Sequence, residues 1–336
     1  MIFVRELNET LHRLLETDER VVILGEDIAD PYGGAFKVTR GLTSKFPDRV
    51  LTTPVSEAGI VGVAAGLAMS GYRPIVEIMF GDFVTLTFDQ VVNHISKYSA
   101  MYDGKVTCPV IIRTPSGGHR GYGPTHSQSL EKHFLGVPHL TVVAASPYHD
   151  PDAILSALLR QDEPALYVEH KLLYPEHVVR PSGSRIGDAI GREESTDGWL
   201  PSVVLSQVPA EDCTVTVLAY GYSALLAAQA LEELAVEEEV FGELVVPSQI
   251  APMDWGPVEA SVKRTGSLLT LEEGTADWSW GTEAAAEIGR RGFSRLRRPV
   301  QVVASQPTVI PSSRDLERKV LVGSDTMKEA IREAAA

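Results

Sequence analysis

The chain contains little cysteine. Its 336 residues include Cys108 and Cys213, which are far apart in sequence and lie outside any CxxC spacing. Such a pair indicates neither a disulfide framework nor a zinc knuckle. Charged Arg5 and Glu6 stand where a signal peptide would have its apolar stretch, so export is not indicated either. We therefore predict a chain that works in the reducing cytoplasm.

Positive charge is also scarce: 30 basic side chains face 45 acidic ones, for a formal net charge of −15. A surface of this sign repels the phosphates of nucleic acids and of anionic membranes. No apolar run reaches the roughly 18 residues that a membrane-spanning helix needs. The sequence therefore predicts a soluble protein whose partners are neither nucleic acids nor membranes.

Several common catalytic motifs are missing. The sequence has no GxGxxG after a strand, no GxxxxGK[ST], no GxSxG and no HExxH, so dinucleotide, P-loop, hydrolase-elbow and zincin functions lack support. Seven of the nine histidines lie between residues 94 and 170, but their spacings match no zinc-ligand motif. We therefore assign no metal ligands to this chain.

Short apolar runs alternate with segments of helical period along the whole chain. This alternation is typical of parallel sheets covered by helices, and at roughly 150 residues per domain the length predicts two domains. The predicted strands are 21–27, 73–80, 109–115, 140–146, 165–170, 214–221, 242–248, 266–274 and 298–305. The predicted helices lie near 4–17, 56–70, 82–101, 151–161, 223–235, 279–291 and 325–335.

The stretch between the two sets of elements is rich in Gly, Ser, Pro and charge and lacks a sustained period. Such composition is typical of a linker. The predicted fold is therefore two doubly wound α/β domains, 1–180 and 206–336, joined by a linker at 181–205.

Residues 52–71, TTPVSEAGIVGVAAGLAMSG, carry the clearest local pattern. Ser56 is a candidate N-cap, and Glu57 follows in the first helical turn, where the helix dipole favours a negative charge. Seven of the twelve residues at 57–68 are Ala or Gly, which predicts a bare helix buried at an interface. By pattern alone, Glu57 is an ordinary acidic residue at a helix start.

Two further candidates stand in less specific surroundings. Phe83 lies near Phe80 and Phe88, so it is either a core aromatic or a flat surface for a ring. His126 ends a loop in which Gly117, Gly118, Gly121 and Gly123 allow close approach to a ligand. The alternative for His126 is a solvent-facing loop histidine.

Four segments carry a family resemblance. LGEDIADPYGGAFKVTRGL (24–42), TPVSEAGIVGVAAGLAMSGYRPIVEIMF (53–80), DFVTLTFDQVVNHISKYSAMYDGK (82–105) and THSQS (125–129) resemble the beta subunit of the decarboxylating component of 2-oxo acid dehydrogenases, of the pyruvate and branched-chain type. Residues 206–336 resemble, more loosely, the transketolase C-terminal domain. The resemblance implies a pyrimidine-binding thiamine-diphosphate domain at 1–180, followed by that C-terminal domain.

The resemblance also implies roles for the three candidates. Glu57 would hydrogen-bond the aminopyrimidine ring of thiamine diphosphate, and Phe83 would pack against that ring. His126 would face the reacting carbon, because imidazole can accept and donate a proton near neutral pH. Glu57 and His126 are thus the implied catalytic residues, and Glu57 and Phe83 the implied cofactor-binding residues.

The rest of the implied cofactor site is not in this sequence. In the superfamily a GDG segment followed by NN holds the Mg²⁺ of the diphosphate through oxygen ligands. This chain has no GDG, and its only asparagines are Asn8 and Asn93. The resemblance therefore implies an alpha subunit that supplies the Mg²⁺ ligands, in a heterotetramer of two alpha and two beta chains.

The acceptor of the acyl group is left open. Three segments of the second half differ from the sequence expected for the family: DWSWGTEAAAEI (277–288), VIPSSRDLERKV (309–320) and the last residues DTMKEAIREAAA. Lipoyl transfer with docking to an acyltransferase is one alternative, and a split acetoin-type or transketolase-like enzyme with another acceptor is a second. A non-catalytic scaffold is a third, although a scaffold needs none of Glu57, Phe83 and His126.

Overall fold

The computed structural model describes residues 1–179, 185–186, 189–194 and 199–336. These residues form two compact units. The first comprises Met1–Gly117, His133–Val143 and Asp150–Val178, and the second comprises Gly118–Lys132, Ala144–His149 and Val179–Ala336. Within the described residues, no helix combines the length and apolar character required to cross a membrane.

The first unit is built on a sheet whose strands are nearly all buried. In the order β5-β6-β4-β3-β1-β2, the β1–β2, β1–β3, β3–β4 and β4–β6 pairs are parallel. Parallel strands read as continuous apolar runs because helices cover both faces. The strands are β1 (Val21–Gly25), β2 (Val50–Thr52), β3 (Arg73–Glu77), β4 (Ile111–Ser116), β5 (Thr141–Ala144) and β6 (Ala165–His170).

A buried apolar face defines one helix of the first unit, and a side-chain N-cap defines another. In α1, Leu7, Leu11 and Leu14 are buried at helical spacing. The side chain of Asp150 accepts a hydrogen bond from the Asp152 N–H and so caps α5. The helices are α1 (Phe3–Thr17), α2 (Leu42–Lys45), α3 (Glu57–Met69), α4 (Tyr98–Met101) and α5 (Pro151–Arg160).

The helix predicted near 82–101 is not one α-helix. The chain forms a 3₁₀ segment at Gly81–Thr87, a π-helical turn at Gln90–Ile95 and then α4. The hydroxyls of Thr85 and Thr87 donate to the carbonyls three residues earlier, at 2.8 and 2.7 Å. Such bonds compete with α-helical turns and favour the tighter winding.

The second unit has a mixed sheet with the strand order β14-β13-β10-β11-β9-β8-β7. The first four of these strands are parallel, and β9, β8 and β7 continue the sheet in antiparallel pairs. The strands are β7 (Arg185–Ile186), β8 (Ala189–Glu194), β9 (Ser202–Ser206), β10 (Val215–Ala219), β11 (Gly242–Pro247), β12 (Gln249–Ala251), β13 (Leu268–Thr275) and β14 (Gln301–Ser305).

The core of the second unit lies where β10, β11 and β13 meet α6 and α10, with Val217, Leu231, Leu244 and Ile331 fully buried. The helices are α6 (Gly221–Glu238), α7 (Gly256–Thr265), α8 (Trp280–Gly292), α9 (Arg314–Val320) and α10 (Ser324–Ala335). The sequence pattern missed α7 and α9. The two doubly wound α/β domains predicted from the alternation are confirmed.

The segment predicted as a linker, 181–205, contains three strands among its described residues, β7, β8 and most of β9. β9 pairs antiparallel with β11, and β8 pairs with β9. Residues 181–184, 187–188 and 195–198 of that segment lie outside the described residues. Strand pairing uses backbone groups and does not require the long apolar runs that mark a buried parallel strand. The polar composition of the segment as a whole therefore concealed these strands, although β9 itself is apolar and buried.

Candidate active site

Glu57 is the first residue of α3, as the sequence predicted for the start of that helix. Ser56 before it is extended, with φ −169°, but its hydroxyl makes no capping hydrogen bond. Glu57 itself is only 7% exposed. The structure thus places a nearly buried carboxylate at the positive end of the Gly/Ala-rich helix.

A second carboxylate, that of Glu26, lies beside Glu57. Glu26 follows β1 directly and is 6% exposed, and one of its oxygens, Oε1, has no hydrogen-bond partner among the described residues. The Ser56 N–H donates a hydrogen bond to this carboxylate. Burial, with the negative charge of Glu57, raises the pKa of Glu26 above its ordinary value. The sequence analysis gave Glu26 no role, although its place after a parallel strand is where α/β sheets bind ligands.

Phe83 lies on the 3₁₀ segment, against which α3 packs. Its ring meets the edge of Phe80 at 5.8 Å between centroids, and Phe80 in turn meets Phe36 at 5.9 Å. Phe83 is only partly buried. It therefore joins the aromatic cluster and still leaves part of its ring uncovered, so its role toward a cofactor stays a prediction.

A buried ion-pair network holds the carboxyl ends of β3, β4 and β6 together. Arg113 donates to Glu169 at 2.7 and 2.8 Å and to Glu77 at 3.0 Å. The Tyr174 hydroxyl also donates to Glu169, at 2.7 Å. Because breaking a buried pair leaves an uncompensated charge, this network fixes the strand ends of the first unit.

His126 belongs to the second unit, whereas Glu57 and Phe83 belong to the first. Its side chain is half-buried, and its Nδ1 lies 3.0 Å from the Thr125 hydroxyl. The loop before it begins at Gly117, whose φ of +88° and whose closeness to the His170 ring, 1.9 Å from an added Cβ, exclude a side chain. The glycines of this loop therefore set its path, and the close approach to a ligand that the sequence indicated stays a prediction.

Buried acidic groups surround the segment after His126 in the second unit. Tyr220, which precedes α6, donates to Glu131 at 2.7 Å. Burial raises the pKa of Glu131 to about 7, with a contribution from the charges of Glu272 and Glu273. Glu272 accepts hydrogen bonds from the N–H groups of Trp280 and Gly281 at the start of α8, at 3.3 and 2.6 Å.

The described residues contain no group of three or more His, Cys, Asp or Glu side chains that could hold a metal ion. The assignment of the Mg²⁺ ligands to another chain stays a prediction.

The comparisons with known proteins follow the division of the chain. Residues 4–177 match the family model of the transketolase pyrimidine-binding domain, and residues 206–327 match that of the transketolase C-terminal domain. The chain is 36% identical over 330 residues to the pyruvate dehydrogenase E1 component subunit beta of Leifsonia xyli, with 98% of this chain and 93% of that protein covered. The chain belongs to the family of 2-oxo acid dehydrogenase E1 beta subunits.

Other members of this E1 beta family and its neighbours lie at similar distances. A 3-methyl-2-oxobutanoate dehydrogenase subunit beta of Mycobacterium tuberculosis is 32% identical, with 98% of this chain and 91% of that protein covered. An acetoin:2,6-dichlorophenolindophenol oxidoreductase subunit beta of Cupriavidus necator is also 32% identical, with 93% and 90% covered.

A solved structure titled as a split-gene transketolase, an inactive beta4 tetramer, shares the fold of this E1 beta chain. The TM-score is 0.71 and the identity 19%, and the similarity covers 99% of this chain and 98% of that one.

The E1 beta family uses thiamine diphosphate, and the first unit offers groups that fit its aminopyrimidine half. A ring nitrogen needs a carboxylate away from water, and Glu57 is buried. The buried Glu26 Oε1 is free to receive another donor. A flat aminopyrimidine also needs an apolar face, and the partly buried ring of Phe83 is a surface of that kind.

Proposed function

We propose that this chain is the beta subunit of a thiamine-diphosphate-dependent 2-oxo acid dehydrogenase, the component that decarboxylates the 2-oxo acid and passes on the acyl group. The observation that carries the proposal is the buried Glu57 at the start of α3, within the part of the chain that matches a pyrimidine-binding domain. The names of the pyruvate and 3-methyl-2-oxobutanoate dehydrogenase relatives support it.

The side chains of the first unit then have distinct tasks. When bound, thiamine diphosphate supplies a thiazolium carbon that becomes nucleophilic when its proton is removed. Glu57 shares a proton with a pyrimidine nitrogen, and its burial strengthens that hydrogen bond. Glu26, whose pKa is raised, takes up a proton more readily than an exposed carboxylate, so the pair holds less negative charge. Phe83 gives the pyrimidine a flat apolar support.

His126 acts on the substrate side in this proposal. Its imidazole, on the half-buried loop of the second unit, steadies the 2-oxo acid and moves a proton during acyl transfer. General acid-base assistance of this kind is typically worth about 10²–10⁴-fold in rate.

We also propose that an alpha subunit binds the diphosphate and the Mg²⁺, in a heterotetramer of two alpha and two beta chains. The exposed face of α3 supports a protein partner there. An added Cβ at Gly62 or Gly66 would meet nothing within 4 Å, and Val63 and Met69 on the same face are 58% and 42% exposed. Small residues on a helix allow another backbone to approach closely, and exposed apolar groups mark interfaces.

The test is to purify the chain alone and together with a candidate alpha chain, each with thiamine diphosphate and Mg²⁺. Pyruvate and branched-chain 2-oxo acids are supplied in turn, and released CO₂ is measured. We expect no release from the isolated chain and steady release from the assembled pair. Activity of the isolated chain would contradict the division of the site between two subunits, and an inactive pair would favour the scaffold alternative.

A second candidate function is acetoin cleavage, which the 32% identity with the Cupriavidus necator subunit favours. The assembled pair is therefore also supplied with acetoin and dichlorophenolindophenol, and in a parallel assay with a 2-oxo acid and a free lipoyl domain. The leading proposal expects acylation of the lipoyl domain and no bleaching of the dye by acetoin.

The cytoplasmic location stays a proposal. Neither Cys108 nor Cys213 forms a disulfide among the described residues, both are buried, and burial raises the pKa of the Cys108 thiol to about 12. A thiol of that kind is inert toward oxidation at neutral pH, which is compatible with a reducing compartment. Cell fractionation with an antibody against the chain tests the location.

A further inference from the structure

His119 occupies a backbone conformation that its side chain disfavours. Its φ is +63°, in the left-handed region, within the loop that runs from Gly118 to His126 in the second unit. A glycine adopts this conformation without strain, and two of the next four residues are glycine. Strained residues persist where the surroundings over-determine them, and they cluster at functional sites. An imidazole at this position therefore calls for a compensating contact.

The compensating contact is the carboxylate of Glu273 on β13. His119 Nε2 lies 3.3 Å from Glu273 Oε2. The other oxygen, Oε1, accepts the Gly118 N–H at 2.8 Å and the Ser129 hydroxyl at 3.1 Å. One buried carboxylate thus binds the loop at points on both sides of His126. We name this group, His119, Gly118, Ser129 and Glu273, the loop clamp.

A second buried carboxylate holds the loop between these points. Glu317 on α9 is 1% exposed, and its Oε2 accepts the Gly121 N–H at 2.8 Å. Among the described residues, the charged or titratable groups near His119 include Glu273 on β13, Glu317 on α9 and Tyr222 on α6, whose ring centroid lies 6.2 Å from that of His119. Burial alone would lower the pKa of His119, but the hydrogen bonding and charge of Glu273 and the charge of Glu317 outweigh it and raise that pKa.

We propose that His119 is a positioning residue, and that its ion pair with Glu273 holds the loop so that His126 lies where the acyl-transfer step needs it. The role given to His126 rests on the proposed function. His119 touches no reacting atom in this scheme and acts only through the loop. Displacing a catalytic group by about 1 Å can cost on the order of 10²-fold in rate, so a small relaxation of the loop suffices for a measurable loss.

The ion pair makes the clamp depend on pH in one direction. Because the pKa of His119 is raised in the folded chain, the pair is fully formed below the ordinary histidine range. It is lost as pH rises through the raised pKa. The pH profile of the wild-type kcat should therefore have an alkaline limb, a fall in kcat at high pH, that depends on His119.

The central variant is His119→Gly in the enzyme assembled with its alpha chain. Glycine relieves the backbone strain but the variant also loses the ion pair, so a merely structural histidine predicts a change in Tm and an unchanged kcat. The proposal expects the same Tm result, but with kcat lowered by roughly 10- to 100-fold. The KM for the 2-oxo acid should change by less than about threefold, since loop placement governs the chemical step. The alkaline limb should disappear.

Glu273→Gln is the second variant, because it keeps an oxygen for the Gly118 N–H and removes the charge. It should lower kcat like His119→Gly, and the double variant should be no worse than either single one, as expected for one coupled pair. The matched control is His139→Gly. His139 also has a positive φ, +59°, and pairs with Glu163 at 2.9 Å, but it is exposed and lies in the first unit. The kcat and the pH profile of the His139→Gly variant should match those of the wild type.

Amide hydrogen exchange on the full-length chain gives a readout that needs no activity. Protection at Gly118 and Gly121 should fall in His119→Gly and Glu273→Gln and remain in His139→Gly. Unchanged protection, or lost protection with unchanged kcat and pH profile, overturns the positioning role. An inactive wild-type assembly overturns the proposed function and with it the role of the clamp, so the two failures are distinct.

Discussion

The carboxylates of Glu57 and Glu26 lie in different surroundings and therefore differ in their chemistry. Both are nearly buried, but only Glu57 has the first turn of a helix behind it. Glu26 accepts the Ser56 N–H and has a raised pKa because of burial and the neighbouring charge. Two adjacent buried carboxylates resist double ionisation. The pair can thus present a proton-sharing group to a ring nitrogen without burying two full negative charges.

Removing the charge of Glu57 should remove most of the turnover. We expect Glu57→Gln in the assembled enzyme to lower kcat by at least about 10²-fold, because the amide cannot share a proton with the pyrimidine as a carboxylate does. CO₂ release under saturating 2-oxo acid measures the effect. Glu283→Gln is the control, since Glu283 is an exposed acidic residue in the first turn of α8. Wild-type turnover in Glu57→Gln would exclude this carboxylate from the mechanism.

Single residues were predictable where the signal is local. Glu57 could be placed at a helix start because the Ser-Glu sequence and the Ala/Gly run are contiguous. The partnership of Glu273 with the loop could not be predicted, since Gly118 and Glu273 are 155 residues apart and an acidic residue in a strand carries no signal for its partner. Glu26 was not predicted as a site residue for the same reason.

Among the elements, the strands were the most predictable because a buried parallel strand must be apolar along its whole length. β1, β3, β5 and β6 of the first unit fall within predicted runs, and β4 ends one residue beyond its run. The single helix predicted near 82–101 was wrong: over Gly81–Thr87, threonine hydroxyls bond to nearby carbonyls and tighten the turns. β7 and β8 lie in a polar stretch, and β9 is a five-residue apolar run at the end of that stretch, so the composition of the whole segment concealed them.

The short 3₁₀ turn at Glu131–His133 is tied to the start of α6 by the bond from Tyr220 to Glu131. Burial, with the charges of Glu272 and Glu273, raises the pKa of Glu131 to about 7, against about 4.3 in an unfolded chain. Between these two values the folded state binds more protons than the unfolded state. The free energy of unfolding therefore falls as pH rises through this range.

Glu131→Gln should remove this pH dependence and keep an acceptor for the Tyr220 hydroxyl. We expect the difference in Tm, variant minus wild type, to increase by about 3 °C or more between about pH 5 and about pH 8. A change of about 1 kcal/mol in the free energy of unfolding shifts the Tm of a unit of this size by about that amount. Differential scanning calorimetry measures it. Glu211→Gln, an exposed glutamate on another 3₁₀ turn, should show no such trend. A constant difference between Glu131→Gln and wild type would contradict the raised pKa.

At the scale of the whole molecule, the chain carries a surface that single-chain stability does not require. Gly62 and Gly66 have open space around them, and glycine inside a helix costs roughly 0.5–1 kcal/mol relative to alanine. A protein that retains destabilising glycines on an exposed helix face needs the open space beside them for another purpose. In our proposal, the alpha subunit fills this space.

Gly66→Leu should separate folding from assembly. In the isolated chain the substitution should leave Tm unchanged or raise it, because leucine is the better helix former and meets no neighbour. Affinity for the alpha chain, measured by calorimetric titration, should weaken by at least about tenfold. Gly289→Leu in α8, where an added Cβ also meets nothing, should stabilise similarly without weakening assembly. Full affinity in Gly66→Leu would move the partner surface away from α3.

The segment Gly118–Lys132 belongs structurally to the second unit although it lies within the first half of the sequence. A chimera of two homologous chains, joined near residue 200, would therefore inherit this segment from one parent and Glu273 and Glu317 from the other. Crossovers that transfer 118–132 together with the C-terminal half preserve the parental pairing. Recombination libraries of such chains should be enriched for these double crossovers among their active members.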